Sequence, residues 1–134
     1  MTRAFADTSF YQALFNKRDA WHQAAAQKFR DVQAKILTTD YVLVELGALM
    51  ARGEARQIYV QFVERLRSDP DTELVPASNE LLDAGLSLFA ARPDKNWSLT
   101  DCISFALMNN RNIRQALACD RHFEQAGFDL LITK

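Results

Sequence analysis

In RAFADTSFYQALF, Arg3–Phe15, a short apolar run passes without a linker into the helical spacing of TSFYQALF. RAFAD reads as a strand, so the segment predicts a strand feeding directly into a helix. A single carboxylate, Asp7, stands at the junction. The same order recurs down the chain. AKILTTD (34–40) leads into YVLVELGALMARG (41–53), ELVPA (73–77) into SNELLDAGLSLFAAR (78–92), and QALACD (115–120) into RHFEQAG (121–127). FDLLIT (128–133) reads as a last strand. Further helices are predicted over AWHQAAAQKFRDVQ (20–33), EARQIYVQFVERLRS (54–68) and WSLTDCISFALMNN (97–110). Ser78 is the expected cap of its helix, and Gly53 the expected stop of the helix over 41–53. In the helix over 54–68, Ile58, Phe62 and Leu66 share a face, with Tyr59 and Val63 beside them. Strands interleaved with helices predict an α/β fold, its mostly parallel sheet covered on both faces and joined by right-handed crossovers.

The 134 residues suit one domain over 1–134, and 49% hydrophobic with 25% charged residues is ordinary for a globular chain. Four Gly and three Pro leave little room for long linkers. A net charge of −1 carries no global basic signature, so any nucleic-acid contact must come from a local patch. No apolar run is long enough to span a bilayer and no signal-peptide core opens the chain, so a cytoplasmic location is expected. Cys102 and Cys119 are too few and too far apart in the chain for a zinc site, and read as buried thiols.

Four acids sit in apolar surroundings where desolvation is costly: Asp7 in RAFADTSF, Glu45 in YVLVELGALM, Asp101 in WSLTDCISF and Asp120 in ALACDRHF. Asp7 and Asp120 fall at the C-terminal ends of predicted strands, the edge where open α/β sheets build their sites. Asp101 lies in the first turn of its helix, and Glu45 about one turn into the helix after the second strand. All four could therefore point into one pocket. Structural roles compete. Asp7 and Asp120 suit helix N-caps, and Ser98 with Asp101 three residues on resembles a capping box. Glu45 has Tyr41, Val42, Ala48 and Leu49 one turn away, and its nearest candidate ion-pair partner is Arg52.

Two carboxylates about 5 Å apart repel by roughly 3 kcal/mol at an effective dielectric of about 20. Four together raise one another's pKa or take up a cation. An all-oxygen cage suits Mg²⁺ or Mn²⁺, whereas zinc wants His or Cys. His22 reads as a surface helix residue. His122 is near the acids in sequence but has no second histidine beside it, which disfavours metal-free cleavage by paired histidines.

FADTSF, LTTDYVLVELGAL, WSLTDCISFALM and ALACDRHFEQAGF, in this order and spacing, resemble the PIN-domain family, and within it the VapC-type toxin ribonucleases. The resemblance spans essentially the whole chain. It implies a three-layer α/β/α sandwich around a parallel sheet. It also implies hydrolysis of RNA phosphodiester bonds with Mg²⁺ or Mn²⁺ held by acids. Asp7, Glu45, Asp101 and Asp120 match the family's acidic positions, and Thr8 and Thr100 match the hydroxyls often beside them. Cys119 departs from the pattern, since many members carry Ser or Thr just before the last acid.

On this resemblance Asp7 and Asp101 make the firmest metal contacts. Glu45 holds or orients the attacking water or a second metal, and Asp120 ligates through water or with an ion brought by substrate. In-line attack leaves 5′-phosphate and 3′-hydroxyl ends. A homodimer and a VapB-type antitoxin, whose tail blocks the acidic pocket, are the implied partners. Arg92, Lys95, Arg121 and His122 flank the acids and are candidates to meet substrate phosphates. Trp97 is a candidate to stack a base, or a packing staple.

A stand-alone PIN ribonuclease of RNA maturation or decay shares these residues, whereas intact acids at all four positions argue against a degenerate PIN scaffold that binds partners without catalysis. A phospho-receiver domain is the main rival from another class, and Lys134 after the last strand fits it. A receiver, however, wants paired acids after the first strand and an acid after a middle one, and ELVPA carries none at its end.

Overall fold

A computed structural model describes residues 2–132 of the chain. Met1, Lys134 and Thr133, the expected end of the last strand, lie outside the described residues. In chain order the elements are β1 (Thr2–Ala6), α1 (Thr8–Phe15), α2 (His22–Asp31), β2 (Ala34–Thr39), α3 (Asp40–Leu49), α4 (Glu54–Ser68) and β3 (Thr72–Val75). There follow α5 (Asn79–Ala91), α6 (Leu99–Arg111), β4 (Gln115–Leu117), α7 (His122–Gln125) and β5 (Asp129–Leu130). Every strand pairing is parallel, in the order β3-β2-β1-β4-β5.

That order fixes where a site can form. From β1 the chain steps one way to β2 and β3, then crosses back to β4 and continues to β5. Right-handed crossovers therefore put α1 to α4 on one face and α5 to α7 on the other, the expected three layers. The reversal falls between β1 and β4, and the crevice outside their C-terminal ends is the switch point. A receiver of the flavodoxin type has the order 2-1-3-4-5 instead. The topology excludes that reading.

Local chemistry starts the main helices. Asp7, Thr39, Ser78 and Ser98 are N-caps whose side-chain oxygens accept backbone N–H groups of α1, α3, α5 and α6. Several limits differ from expectation, each for a physical reason. α3 stops at Leu49, and Gly53 instead opens α4 at φ 61° and ψ −140°, a left-handed φ that a side chain would strain. β4 ends at Leu117, so Asp120 lies three residues beyond the ladder. β5 is reduced to the two residues that pair with Gln115 and Ala116.

Phe5 of β1, Phe105 of α6, and Phe123 and Phe128 around α7 form one aromatic cluster. The Phe105 and Phe123 rings meet edge to face at 4.8 Å, and Trp97 meets Phe105 likewise at 5.1 Å. Such pairs add about 0.5–1.5 kcal/mol beyond the area they bury. Their placement matters more: Phe105 lies one turn after Asp101, and Phe123 follows His122, so this packing sets how close those two polar residues come. Trp97 is buried, and its indole N–H donates to Gln125 Oε1 at 3.1 Å, the packing role of its two alternatives.

On the other face a cavity of about 530 Å³ opens between α1, α2 and α4, lined by Phe10, Phe15, Phe29, Ile58, Phe62 and Leu66 among others. None of the four acids lines it. The expected apolar face of α4 is thus only partly covered: Leu66 is buried, but Ile58 is 45% exposed. No helix among the described residues is long and apolar enough to cross a membrane.

Candidate active site

Asp7 leaves the end of β1 and caps α1. Its backbone N–H donates to Leu117 O at 3.0 Å, tying the ends of β1 and β4 together at the switch point. Its Oδ2 accepts the Ser9 hydroxyl at 2.7 Å and the Ser9 N–H at 3.1 Å. Oδ1 is buried and has no hydrogen-bond partner. Burial pushes the Asp7 carboxyl up to about 7, the nearby charges of Asp101 and Glu45 push the same way, and the Ser9 bonds oppose. Orphaned buried oxygens are rare in folded proteins and call for an explanation.

Asp101 closes a capping box with Ser98. The Asp101 N–H donates to Ser98 Oγ, and the Ser98 N–H donates to Asp101 Oδ2, each at 3.0 Å. The same Oδ2 lies 2.8 Å from His122 Nδ1. Burial raises the Asp101 carboxyl above its usual range. The His122 and Ser98 bonds work against this, and the charge of Asp120 adds to it.

Asp120 Oδ1 accepts the His122 N–H at 2.9 Å, and its Oδ2 lies 3.3 Å from His122 Nδ1. One donor atom from each of Asp101, Asp120 and His122 lies within 4.8 Å of the other two. His122, read from sequence as a phosphate contact, stands between two carboxylates instead.

Glu45 is half-buried on α3, near enough that its charge acts on Asp7. Its surroundings are less apolar than expected, because Leu49 is 54% exposed and Ala48 is exposed too. The Glu45–Arg52 ion pair is not among those formed by the described residues.

The supporting hydroxyls are distributed differently from expectation. Thr8 is buried and its Oγ1 has no partner, while the contacts fall to Ser9. Ser9 Oγ also accepts the Cys119 N–H at 3.0 Å, so a hydroxyl reaches the Cys119 position from α1 rather than from residue 119 itself. The spacing D-x-S at a helix start is the signal for Ser9, since a capping aspartate meets the residue two positions on. Thr100 is half-buried, and its carbonyl accepts Ser104 Oγ at 3.0 Å.

The flanking cations are placed beside neighbours of their own. Arg92 makes two 3.0 Å bonds to Asp94 and lies 5.1 Å from the Trp97 ring centroid, with Lys95 Nζ at 5.8 Å from the same ring. Arg121 is largely exposed, 3.6 Å from Glu124. His22 lies between α1 and α2, its Nδ1 2.7 Å from Ala13 O, and is half-buried rather than on the surface. Cys102 is buried and Cys119 half-buried, and neither is in a disulfide.

The Asp101–His122–Asp120 cluster is a donor set that fits a divalent cation, and the orphaned Asp7 oxygen belongs to a residue near enough for the Asp101 charge to act on it. The family model for the PIN domain matches residues 4–129. The chain belongs to the PIN-domain family. This PIN domain is 31% identical over 125 residues to the 23S rRNA-specific endonuclease VapC20 of Mycobacterium tuberculosis, covering 92% of this chain and 94% of that protein. The crystal structure of VapC20, described as a sarcin-ricin loop cleaving toxin, matches with a TM-score of 0.85 at 27% identity, covering 94% of this PIN domain and 96% of VapC20. FitAcB of Neisseria gonorrhoeae shares the fold at 12% identity and a TM-score of 0.68, covering 95% of each chain. VapBC2 of Rickettsia felis, bound to a DNA fragment from their promoter, does so at 12% and 0.65, covering 96% of this chain and 97% of that one.

Proposed function

We propose that this PIN domain is the ribonuclease toxin of a VapBC-type pair, hydrolysing RNA with Mg²⁺ or Mn²⁺ held by Asp7, Glu45, Asp101 and Asp120. The observation that carries this is Asp7: a buried carboxyl with one unsatisfied oxygen and a pKa near 7, at the switch point of a parallel sheet. The similarity to an rRNA endonuclease over nearly the whole chain supports it.

Asp7, Glu45, Asp101 and Asp120 would hold the cation, which would supply an acidified water and offset charge building on the phosphate. The chain's own residues do the positioning. Ser9 fixes the Asp7 carboxylate, and Ser98 fixes Asp101 from the backbone side. Glu45, on a different helix, orients the attacking water. Arg92, Lys95 and Arg121 are proposed to meet phosphates along the strand, where Lys and Arg bind RNA without reading its sequence. VapC20 makes the 23S sarcin-ricin loop the first substrate to try.

A VapB-type antitoxin is the proposed partner of the apolar cavity between α1, α2 and α4, where Phe29 is 62% exposed. An amphipathic segment suits such a groove, and a solved neighbour of this fold is a toxin–antitoxin assembly on promoter DNA. Homodimerisation and a cytoplasmic location complete the proposal, the first read by light scattering of the purified protein.

The test is incubation of purified protein with end-labelled total RNA and with a sarcin-ricin loop oligonucleotide, in Mg²⁺ or Mn²⁺. Discrete cuts bearing 5′-phosphate, absent in EDTA and in Asp101→Asn, support the proposal. Cleavage that survives EDTA overturns its chemistry.

A further inference from the structure

We propose that His122 is a nitrogen ligand of this metal site and tilts it toward first-row transition-metal ions over Mg²⁺. The proposal rests on the reading that Asp7, Asp101 and Asp120 hold a divalent ion, and adds a donor that the all-oxygen expectation lacked.

The ring is already aimed. Nδ1 is 2.8 Å from Asp101 Oδ2 and 3.3 Å from Asp120 Oδ2, facing both carboxylates rather than solvent. Its backbone is pinned by the N–H bond to Asp120 Oδ1, and the adjacent Phe123 is fully buried against Phe105 and Phe5. Independently of these contacts, Asp7 Oδ1 is left unsatisfied in a residue only 3% exposed, and the charge of Asp101 acts on it. Donor atoms of Asp101, Asp120 and an imidazole nitrogen within 4.8 Å of one another, with an unsatisfied Asp7 oxygen near enough to feel the Asp101 charge, call for a cation that accepts mixed oxygen and nitrogen donors.

With its proton on Nδ1 the ring donates to the acids. With the proton on Nε2 it presents a lone pair to the same place. Mg²⁺ gains little from that lone pair, because it prefers oxygen ligands and retained water. Zinc, copper, iron and nickel ions suit imidazole, and Mn²⁺, which shares the carboxylate and water ligands of Mg²⁺, admits a nitrogen donor more readily than Mg²⁺ and so is the stringent case. Selectivity between the two classes should therefore hang on His122, while the carboxylates serve both.

The experiment is titration of Mn²⁺ into the metal-free full chain, followed by electron paramagnetic resonance, with spin-echo modulation recorded on the bound ion. Mg²⁺ affinity is read by competition. The expected result is ¹⁴N modulation from a directly bound imidazole in the wild type, which does not depend on any variant folding. His122→Ala should lose that signal and about tenfold or more in Mn²⁺ affinity, with Mg²⁺ affinity changed less than about threefold. Mn²⁺ that binds, and is lost in Asp101→Asn, yet shows no nitrogen coupling would overturn the role of His122 and leave the carboxylate site standing. Binding as tight or tighter in His122→Ala would do the same, making the ring a counter-charge that the ion displaces. Absence of saturable Mn²⁺ binding would overturn the metal site itself along with this inference.

Discussion

The Ser9 hydroxyl donates to Asp7 Oδ2 at 2.7 Å while accepting the Cys119 N–H at 3.0 Å, so one small side chain joins the start of α1 to the segment leaving β4. Ser9→Ala removes both bonds. A loss of about 1–3 kcal/mol in stability is expected, together with a further rise of the Asp7 pKa above about 7, because the hydroxyl is the strongest influence holding it down. Carboxyl-carbon NMR titration of the metal-free variant checks the second point. An unchanged Asp7 titration would contradict it.

The raised Asp7 pKa makes the metal-free protein sensitive to pH in a definite direction. The folded group titrates at about 7 against an ordinary 3.8, so the folded state holds a proton that the unfolded chain has already released. This contribution is fully present below the ordinary value and is lost as pH rises through the folded one. At 1.36 kcal/mol per pKa unit it amounts to about 4 kcal/mol across that window. Asp101 is shifted the same way. Urea unfolding in EDTA should therefore show stability falling from about pH 4 to about pH 7. Excess Mn²⁺ should restore it at the alkaline end, because a cation favours the ionised form.

Asp7→Asn separates folding from chemistry at that position. Without metal it should be at least as stable as the wild type near neutral pH, and its stability should vary less with pH, since no charge is left to desolvate. Because Asn caps a helix as well as Asp does, a variant that is clearly less stable than the wild type in EDTA near neutral pH would contradict the claim that the buried Asp7 charge is costly.

Close packing of α5 on α6 supports the helix that carries Asp101. A Cβ on Gly85 would lie 2.3 Å from Ile103 Cγ1 and 3.0 Å from its Cα. Gly85→Ala should cost about 1–3 kcal/mol through overpacking. Thermal unfolding of the variant reads this directly, and an unchanged midpoint would show that α5 moves aside freely.

Much of this architecture is legible in the chain because local rules set it. The caps at Asp7, Ser78 and Ser98 follow from residue type, and the interleaving of short apolar runs with helical periods implies the parallel sheet. The strand limits were not legible, because β4 and β5 stop where pairing with a neighbour stops rather than where the apolar run ends. The candidate site divides in the same way. The four acids stand out by their apolar context. The place of His122 depends on how Phe105 and Phe123 pack α6 against α7, a contact between residues distant in sequence. The partial exposure of Ile58 was hidden because helical periodicity marks an apolar face without saying what covers it.

The most direct test of the account is cleavage of one defined RNA by wild type, Asp7→Asn and Asp101→Asn across a Mn²⁺ titration, with EDTA as control and circular dichroism to confirm folding. The prediction is metal-dependent cleavage by the wild type and a loss of at least about a hundredfold in either folded variant, of the order expected when transition-state charge stabilisation is removed. Cleavage that persists in EDTA, or in a folded variant lacking either carboxylate, would contradict the claim that these acids hold the metal that cuts RNA.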